Sequence, residues 1–170
     1  MKLVNILIFA SALVGAGFAP AGFASAQIVA LGASNVAGYG VNPAEAWPAQ
    51  LEGMLRARGS SASVANAGVS GNTTDQVLAR LSSAVPDGTK VVILVIGPFN
   101  DVRTGGSSAV AAMNITKIKK QLRDRGIRVV DAFGMMTSIM RRPGMLQADH
   151  IHLTAAGHRG LAMQLVRSVG

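Results

Sequence analysis

The 170-residue chain contains no cysteine. That excludes disulfides, thiol nucleophiles and thiolate-bound metals, so stability has to come from apolar packing. Acidic residues are scarce, eight against sixteen Lys and Arg, and the formal net charge is +8. Aromatic residues make up only 4% of the chain, too few for the stacking platforms that nucleic-acid binding adds to a basic surface. Six of the bases fall together, at Lys117, Lys119, Lys120, Arg123, Arg125 and Arg128, interleaved with Ala111, Ile115, Ile118 and Leu122 at helical spacing. We read them as the solvated face of an amphipathic helix. A weak attraction to anionic surfaces is compatible with that face; a nucleic-acid partner is not expected.

Only the amino terminus carries an extended apolar run. Lys2 precedes a mostly apolar stretch over 3–18, and Ala24-Ser25-Ala26 has the small-x-small form of a signal-peptidase site. Residues 1–26 therefore read as a secretory signal, with export to the periplasm or the medium. Residues 27–170 suffice for one domain with a real core. They hold no further run long enough to cross a bilayer.

Within that domain, short apolar segments at 28–31, 62–65, 91–96 and 127–130 alternate with helical patterns at roughly 44–58, 74–84, 107–125 and 154–168. Such alternation predicts an α/β fold with a parallel sheet. The wholly apolar run Val91-Val92-Ile93-Leu94-Val95-Ile96 reads as a central strand covered on both faces. Thr73-Thr74-Asp75-Gln76 has the form of a capping box, while Pro43 and Pro48 leave the start of the first helix open. The stretch 134–147 shows no clear pattern.

In an open α/β sheet, ligands gather where the strands end. Three polar or glycine-bearing loops follow the first three strands: Gly32-Ala33-Ser34-Asn35, Asn66-Ala67-Gly68-Val69-Ser70-Gly71-Asn72 and Gly97-Pro98-Phe99-Asn100-Asp101. Ser34 places a hydroxyl directly after a strand, but a serine needs a base before it can act as a nucleophile. His152, three residues after Asp149, is the candidate base: the carboxylate can fold back onto Nδ1 and leave Nε2 free for Ser34. His150, two residues from His152, could suggest a metal pair, but no additional His and no acidic cluster is there to complete a site. His158 falls inside the last helix. No metal or other cofactor is expected.

The order of nucleophile, glycine loop, asparagine loop and acid–base pair resembles the SGNH (GDSL-type) hydrolase family, in particular its small thioesterase, lysophospholipase and arylesterase branch. Similar segments are 28–35, Ala37-Gly38-Tyr39-Gly40 with Ala46-Trp47-Pro48, 66–74, Asn100, and Asp149-His150-Ile151-His152-Leu153-Thr154 with Gly157. The usual Gly-Asp-Ser-Leu is here Gly-Ala-Ser-Asn, and Pro98-Phe99 precede Asn100 where small residues are usual. The resemblance implies a three-layer α/β/α domain with a small, mostly parallel, flavodoxin-like sheet. The short interval between Asp101 and Asp149 implies either a sheet reduced by one strand–helix unit or a truncated substrate-covering loop.

By the same resemblance, Ser34, Asp149 and His152 are catalytic, and the oxyanion hole is formed by Ser34, Gly68 and Asn100. The implied activity is hydrolysis of carboxylic esters or thioesters with short-to-medium acyl or aryl groups, lysophospholipids among them. Carbohydrate O-acetyl esters and a noncatalytic exported binding module are the alternatives. Tyr39, Trp47, Phe99 and the Met135-Met136 pair are candidates for lining an apolar substrate pocket.

Overall fold

All four apolar runs become strands. The computed structural model describes residues 27–169, so the expected secretory segment 1–26 lies outside the described residues. The elements are β1 (Ile28–Gly32), α1 (Ser34–Ala37), a 3₁₀ turn (Pro43–Glu45), α2 (Trp47–Arg56), β2 (Val64–Gly68), α3 (Thr74–Ala79), α4 (Leu81–Ala84), β3 (Val91–Val95), α5 (Phe99–Arg103), α6 (Ser108–Asp124), β4 (Arg128–Asp131), α7 (Phe133–Met140) and α8 (Ala155–Val169). The strands lie in the order β2-β1-β3-β4, and every pairing is parallel. Between β4 and α8 there is only an isolated antiparallel bridge, Leu146 with Leu153. The described sheet thus has four strands, in keeping with a domain short of one strand–helix unit.

The alternation of side chains along a strand divides the core in two. Ile28, Ala30, Ile93 and Val95 point to one face and pack with Trp47, Leu51 and Leu55 of α2, Met136 and Ile139 of α7, and Leu161 and Leu165 of α8. Val29, Leu31, Val92 and Leu94 point to the other and pack with Val77, Leu81, Ile118 and Leu122. Burial on both faces is why β1 and β3 read as unbroken apolar runs. Among the described residues, no helix is long and apolar enough to cross a membrane.

Several boundaries differ from those expected. Asn42 forms a capping box with Glu45 around the 3₁₀ turn, and α2 begins only at Trp47, with Pro48 in its first turn where a missing N–H is tolerated. The helix expected over 74–84 breaks at Arg80, which leaves helical geometry with ψ at 10°. β2 runs two to three residues later than its apolar run because its register is set by β1, from Ile28–Val64 to Gly32–Gly68. The unpatterned stretch after β4 contains α7. On α6, Lys119 pairs with Asp131, Lys120 lies 2.7 Å from Asp124, and Arg125 donates to the Val85 carbonyl at 2.7 Å. Much of the basic stretch thus serves intrachain surface contacts.

Candidate active site

Ser34 opens the one-turn helix α1 at the carboxyl end of β1, two residues beyond Gly32. The turn is closed by Val36 and Ala37 N–H donating to the Ala33 carbonyl, both at 3.0 Å. Gly38, with φ of 84°, takes the left-handed conformation that ends it. No protein acceptor engages the Ser34 N–H among the described residues, as expected for the first amide of a helix.

Asp149 and His152 sit on a tight loop before α8. Asp149 Oδ1 accepts the N–H groups of Ile151 at 2.9 Å and His152 at 3.0 Å, and Oδ2 lies 2.6 Å from His152 Nδ1. The His152 amide, the His152 ring and then the Ile151 amide hold the Asp149 carboxyl well below the usual carboxylate range. The loop turns back through His150, which has φ of 58°. That left-handed conformation is uncommon for a residue with a side chain. The Tyr39 ring packs against the imidazole, with centroids 4.4 Å apart.

Two side chains stitch this loop to α1. Asn35 Nδ2 donates to the Ile151 carbonyl at 3.1 Å, and Asn35 Oδ1 accepts the Leu153 N–H at 2.9 Å. Gln147 Nε2 donates to the carbonyls of Tyr39 and Leu153, each at 2.8 Å. Among the described residues no hydrogen bond joins Ser34 Oγ to His152.

Asn100 lies in α5, beyond the carboxyl end of β3. Its Nδ2 donates to the Asn72 carbonyl at 2.9 Å, which orients the amide and leaves its second N–H uncommitted. The neighbouring buried Asp101 accepts the Thr74 hydroxyl at 2.5 Å and the Thr74 N–H at 3.1 Å, and Asn114 Nδ2 donates to the same hydroxyl at 3.2 Å. This satisfied polar cluster fastens α5 to the start of α3 and to α6.

Ser34 and Asn100 line one cavity of about 310 Å³, at the small end of the range for ligand sites. Its wall is mostly apolar, from Ile96, Phe99, Phe133, Met136 and Met140, and continues into His150 and Ile151, the two residues before His152.

Three expectations are corrected. Gly68 is not a free amide donor: its N–H is taken by Asn66 Oδ1 at 3.0 Å. A side chain on Gly68 would strike the backbone of Val36 and Ala37, so this glycine lets α1 pack onto the end of β2. Trp47 is fully buried in the core between α2 and α8, with its backbone N–H on His158 Nδ1 at 3.2 Å, and does not reach the cavity. Tyr39, 53% exposed, lies against His152 rather than in the cavity wall. Phe99 does line the cavity. Of the methionine pair Met136 does, while Met135 packs on the core. Asn35, Asn72 and Arg80 escaped the sequence reading. Arg80 alone left a trace, a basic residue within the apolar helical spacing of Val77, Leu81 and Ala84.

Comparison with known proteins agrees with the fold. An arylesterase of Vibrio mimicus is 33% identical over 107 residues, which are 63% of this chain and 54% of that protein; the chain spans about half the length of this curated relative. The crystal structure of AlinE4, an SGNH-hydrolase family esterase, is 30% identical, with a TM-score of 0.59 over 84% of this chain and 93% of that one. The structures of TesA and of the psychrotrophic esterase EstA from Pseudoalteromonas share the fold at 22% and 19% identity. Each has a TM-score of 0.72, over 84% and 85% of this chain and 97% and 96% of theirs. The sequence profile of the GDSL-like lipase/acylhydrolase family matches residues 30–144, a stretch that ends before Asp149 and His152. It begins within β1 and takes in the three loops and most of the sheet's supporting helices, and on that match the chain belongs to the GDSL-like lipase/acylhydrolase family.

Proposed function

We propose that the chain is a serine esterase, hydrolysing carboxylic esters or thioesters through an acyl-enzyme on Ser34. One observation carries this reading: Ser34 and Asn100 share an apolar cavity whose wall runs into the two residues preceding a histidine already paired with a carboxylate. With Nδ1 committed to Asp149, Nε2 of His152 is the nitrogen left to act as base. It takes the Ser34 proton as Oγ attacks the substrate carbonyl, then protonates the leaving alcohol or thiol. Water, deprotonated by the same nitrogen, releases the acid and restores Ser34. The Ser34–His152 contact closes when substrate binds, since such hydrogen bonds are often long in the free enzyme.

The oxyanion is held by the Ser34 N–H and the uncommitted N–H of Asn100. The third donor is Gly71 rather than Gly68. Gly71 precedes the Asn72 whose carbonyl orients Asn100, and its N–H has no acceptor among the described residues. The cavity's Phe and Met lining favours butyryl to octanoyl or aryl groups over acetyl, as does the likeness to the Vibrio arylesterase. The leader-like composition of residues 1–26 supports export, which a shortened, processed chain outside the cytoplasm would verify.

The test is covalent labelling together with turnover. A fluorophosphonate labels the wild type but not Ser34→Ala, and that substitution abolishes hydrolysis of p-nitrophenyl butyrate with the fold intact. A wild type that takes no label and cleaves no ester overturns the reading, as does a fully active Ser34→Ala protein. Preference for acetyl over octanoyl esters would point instead to a carbohydrate O-acetylesterase.

A further inference from the structure

We infer that Asn35 is a positioning residue for His152, the element that sets the base at its working distance from the nucleophile; the inference rests on the esterase reading of Ser34. Asn35 is the residue after Ser34, in a turn closed by two backbone hydrogen bonds to the Ala33 carbonyl. Its side chain leaves that turn and grips both peptide units flanking His152, donating to the Ile151 carbonyl at 3.1 Å and accepting from the Leu153 N–H at 2.9 Å. The partners are a carbonyl and an N–H, so only one orientation of the amide satisfies both.

The consequence is a base held from two directions. Asp149 fixes the ring through Nδ1 at 2.6 Å and the His152 N–H at 3.0 Å from within the loop, while Asn35 fixes the main chain on either side of it from the nucleophile's turn. The other side-chain tether between these segments, Gln147, acts on Tyr39 and Leu153; its main chain accepts the His150 N–H at 3.0 Å and donates to the His152 carbonyl at 2.8 Å, but these bonds lie within the loop and do not reach the nucleophile. Ser34 and His152 are 118 positions apart, so no local structure sets their separation. Asn35 sets it across one peptide bond from the nucleophile.

The motif itself points the same way. Where the usual Gly-Asp-Ser-Leu places a polar residue before the serine and an apolar one after it, this chain has Ala33 before and Asn35 after. Ala33 offers no side-chain hydrogen bond. In this chain the polar flank of the serine is residue 35, and its two partners are the neighbours of the base.

Three variants test this. In Asn35→Ala, kcat for p-nitrophenyl butyrate falls about 10- to 100-fold with KM within about twofold, since displacement of a catalytic group by about 1 Å costs on the order of 100-fold. Phosphonylation of Ser34 slows by the same factor. Asn35→Asp keeps the acceptor for Leu153 but turns an oxygen toward the Ile151 carbonyl, and is impaired likewise. Asn42→Ala, which weakens a cap on the 3₁₀ turn, lowers Tm without changing kcat and so separates positioning from general destabilisation. Wild-type kcat and phosphonylation in folded Asn35→Ala overturn the proposal. So does a kcat loss that merely follows the unfolded fraction. If the wild type shows no Ser34-dependent labelling or turnover, the esterase reading fails. The tether is then judged by the NMR signal of the His152 Nδ1 proton, which shifts and broadens in Asn35→Ala if the tether holds and is unchanged if it does not.

Discussion

Arg80 holds Asn72. Its Nε donates to Asn72 Oδ1 at 2.7 Å, and Nη2 of the same guanidinium donates to the carbonyls of Gly32 at 3.0 Å and Ala67 at 2.9 Å. One side chain therefore caps the ends of β1 and β2 and steadies the residue that orients Asn100. Burial lowers the Arg80 pKa below its usual value, and the three acceptors offset the cost of taking that cation partly out of water.

Replacing Arg80 removes three contacts made by one planar group, and a lysine cannot reproduce their spread. For Arg80→Met and Arg80→Lys we expect a stability loss of about 1–3 kcal/mol in denaturant unfolding, the cost of losing hydrogen bonds from a charged group to partly buried acceptors. Because Asn72 loosens as well, kcat should fall in the folded fraction while KM changes little.

Asn100→Ala removes an amide already oriented by Asn72. If it is the proposed oxyanion donor, turnover should fall by about 10²–10³, with phosphonylation of Ser34 slowed to a similar degree. Gly71→Ala tests the reassigned donor less directly, because Gly71 has φ of 82° and a Cβ there is strained. Steady-state kinetics that leave Asn100→Ala within twofold of wild type would remove Asn100 from the oxyanion hole.

His158 should make the protein acid-sensitive. It is fully buried with Nδ1 accepting the Trp47 N–H. Burial pushes its pKa down to about 4, Glu45 opposing and His152 adding to the shift. A folded-state pKa below the unfolded value of 6.5 means that stability is complete above pH 6.5 and is lost as pH falls toward 4. The loss reaches about 3 kcal/mol. Asp149, whose pKa is also depressed, loses its contribution only below the normal carboxylate range and leaves this window clear. Denaturant unfolding at pH 7 and pH 4.5 should show the difference, and His158→Asn, which retains an acceptor for Trp47, should flatten it.

His150 carries the turn that brings His152 back onto Asp149. A β-branched residue at φ of 58° is strained by about 1–3 kcal/mol. His150→Val should therefore lower Tm and kcat together, whereas His150→Gly should keep or raise Tm. Equal Tm values for the two variants would show that the turn relaxes without penalty.

β1 and β3 were legible because burial on both faces leaves a run of apolar residues that no surface strand shows, as in Val91-Val92-Ile93-Leu94-Val95. The placing of Ser34 directly after β1 and the contact of Asp149 with His152 were legible because each follows from a spacing of a few residues along the chain. Other positions were not. Trp47 and Phe99 are both aromatic residues near proline, yet contact with α8 buries one and the cavity claims the other. The loop 66–72 offers two glycines as donors, and only the fold-back of Asn66 shows that the Gly68 amide is already used. Likewise the end of β2 depended on pairing with β1 rather than on its own weakly β-forming Ala and Asn residues.

What the sequence by itself determined is the set of chemical parts and the layered α/β plan, since periodicity and residue type act locally. The arrangement of those parts was decided by the tertiary structure. Asn35 and Gln147 join segments more than a hundred residues apart, and Arg80 joins the ends of two strands to Asn72. Such hydrogen bonds depend on distances that exist only once the sheet has closed, and no pattern along the chain encodes them.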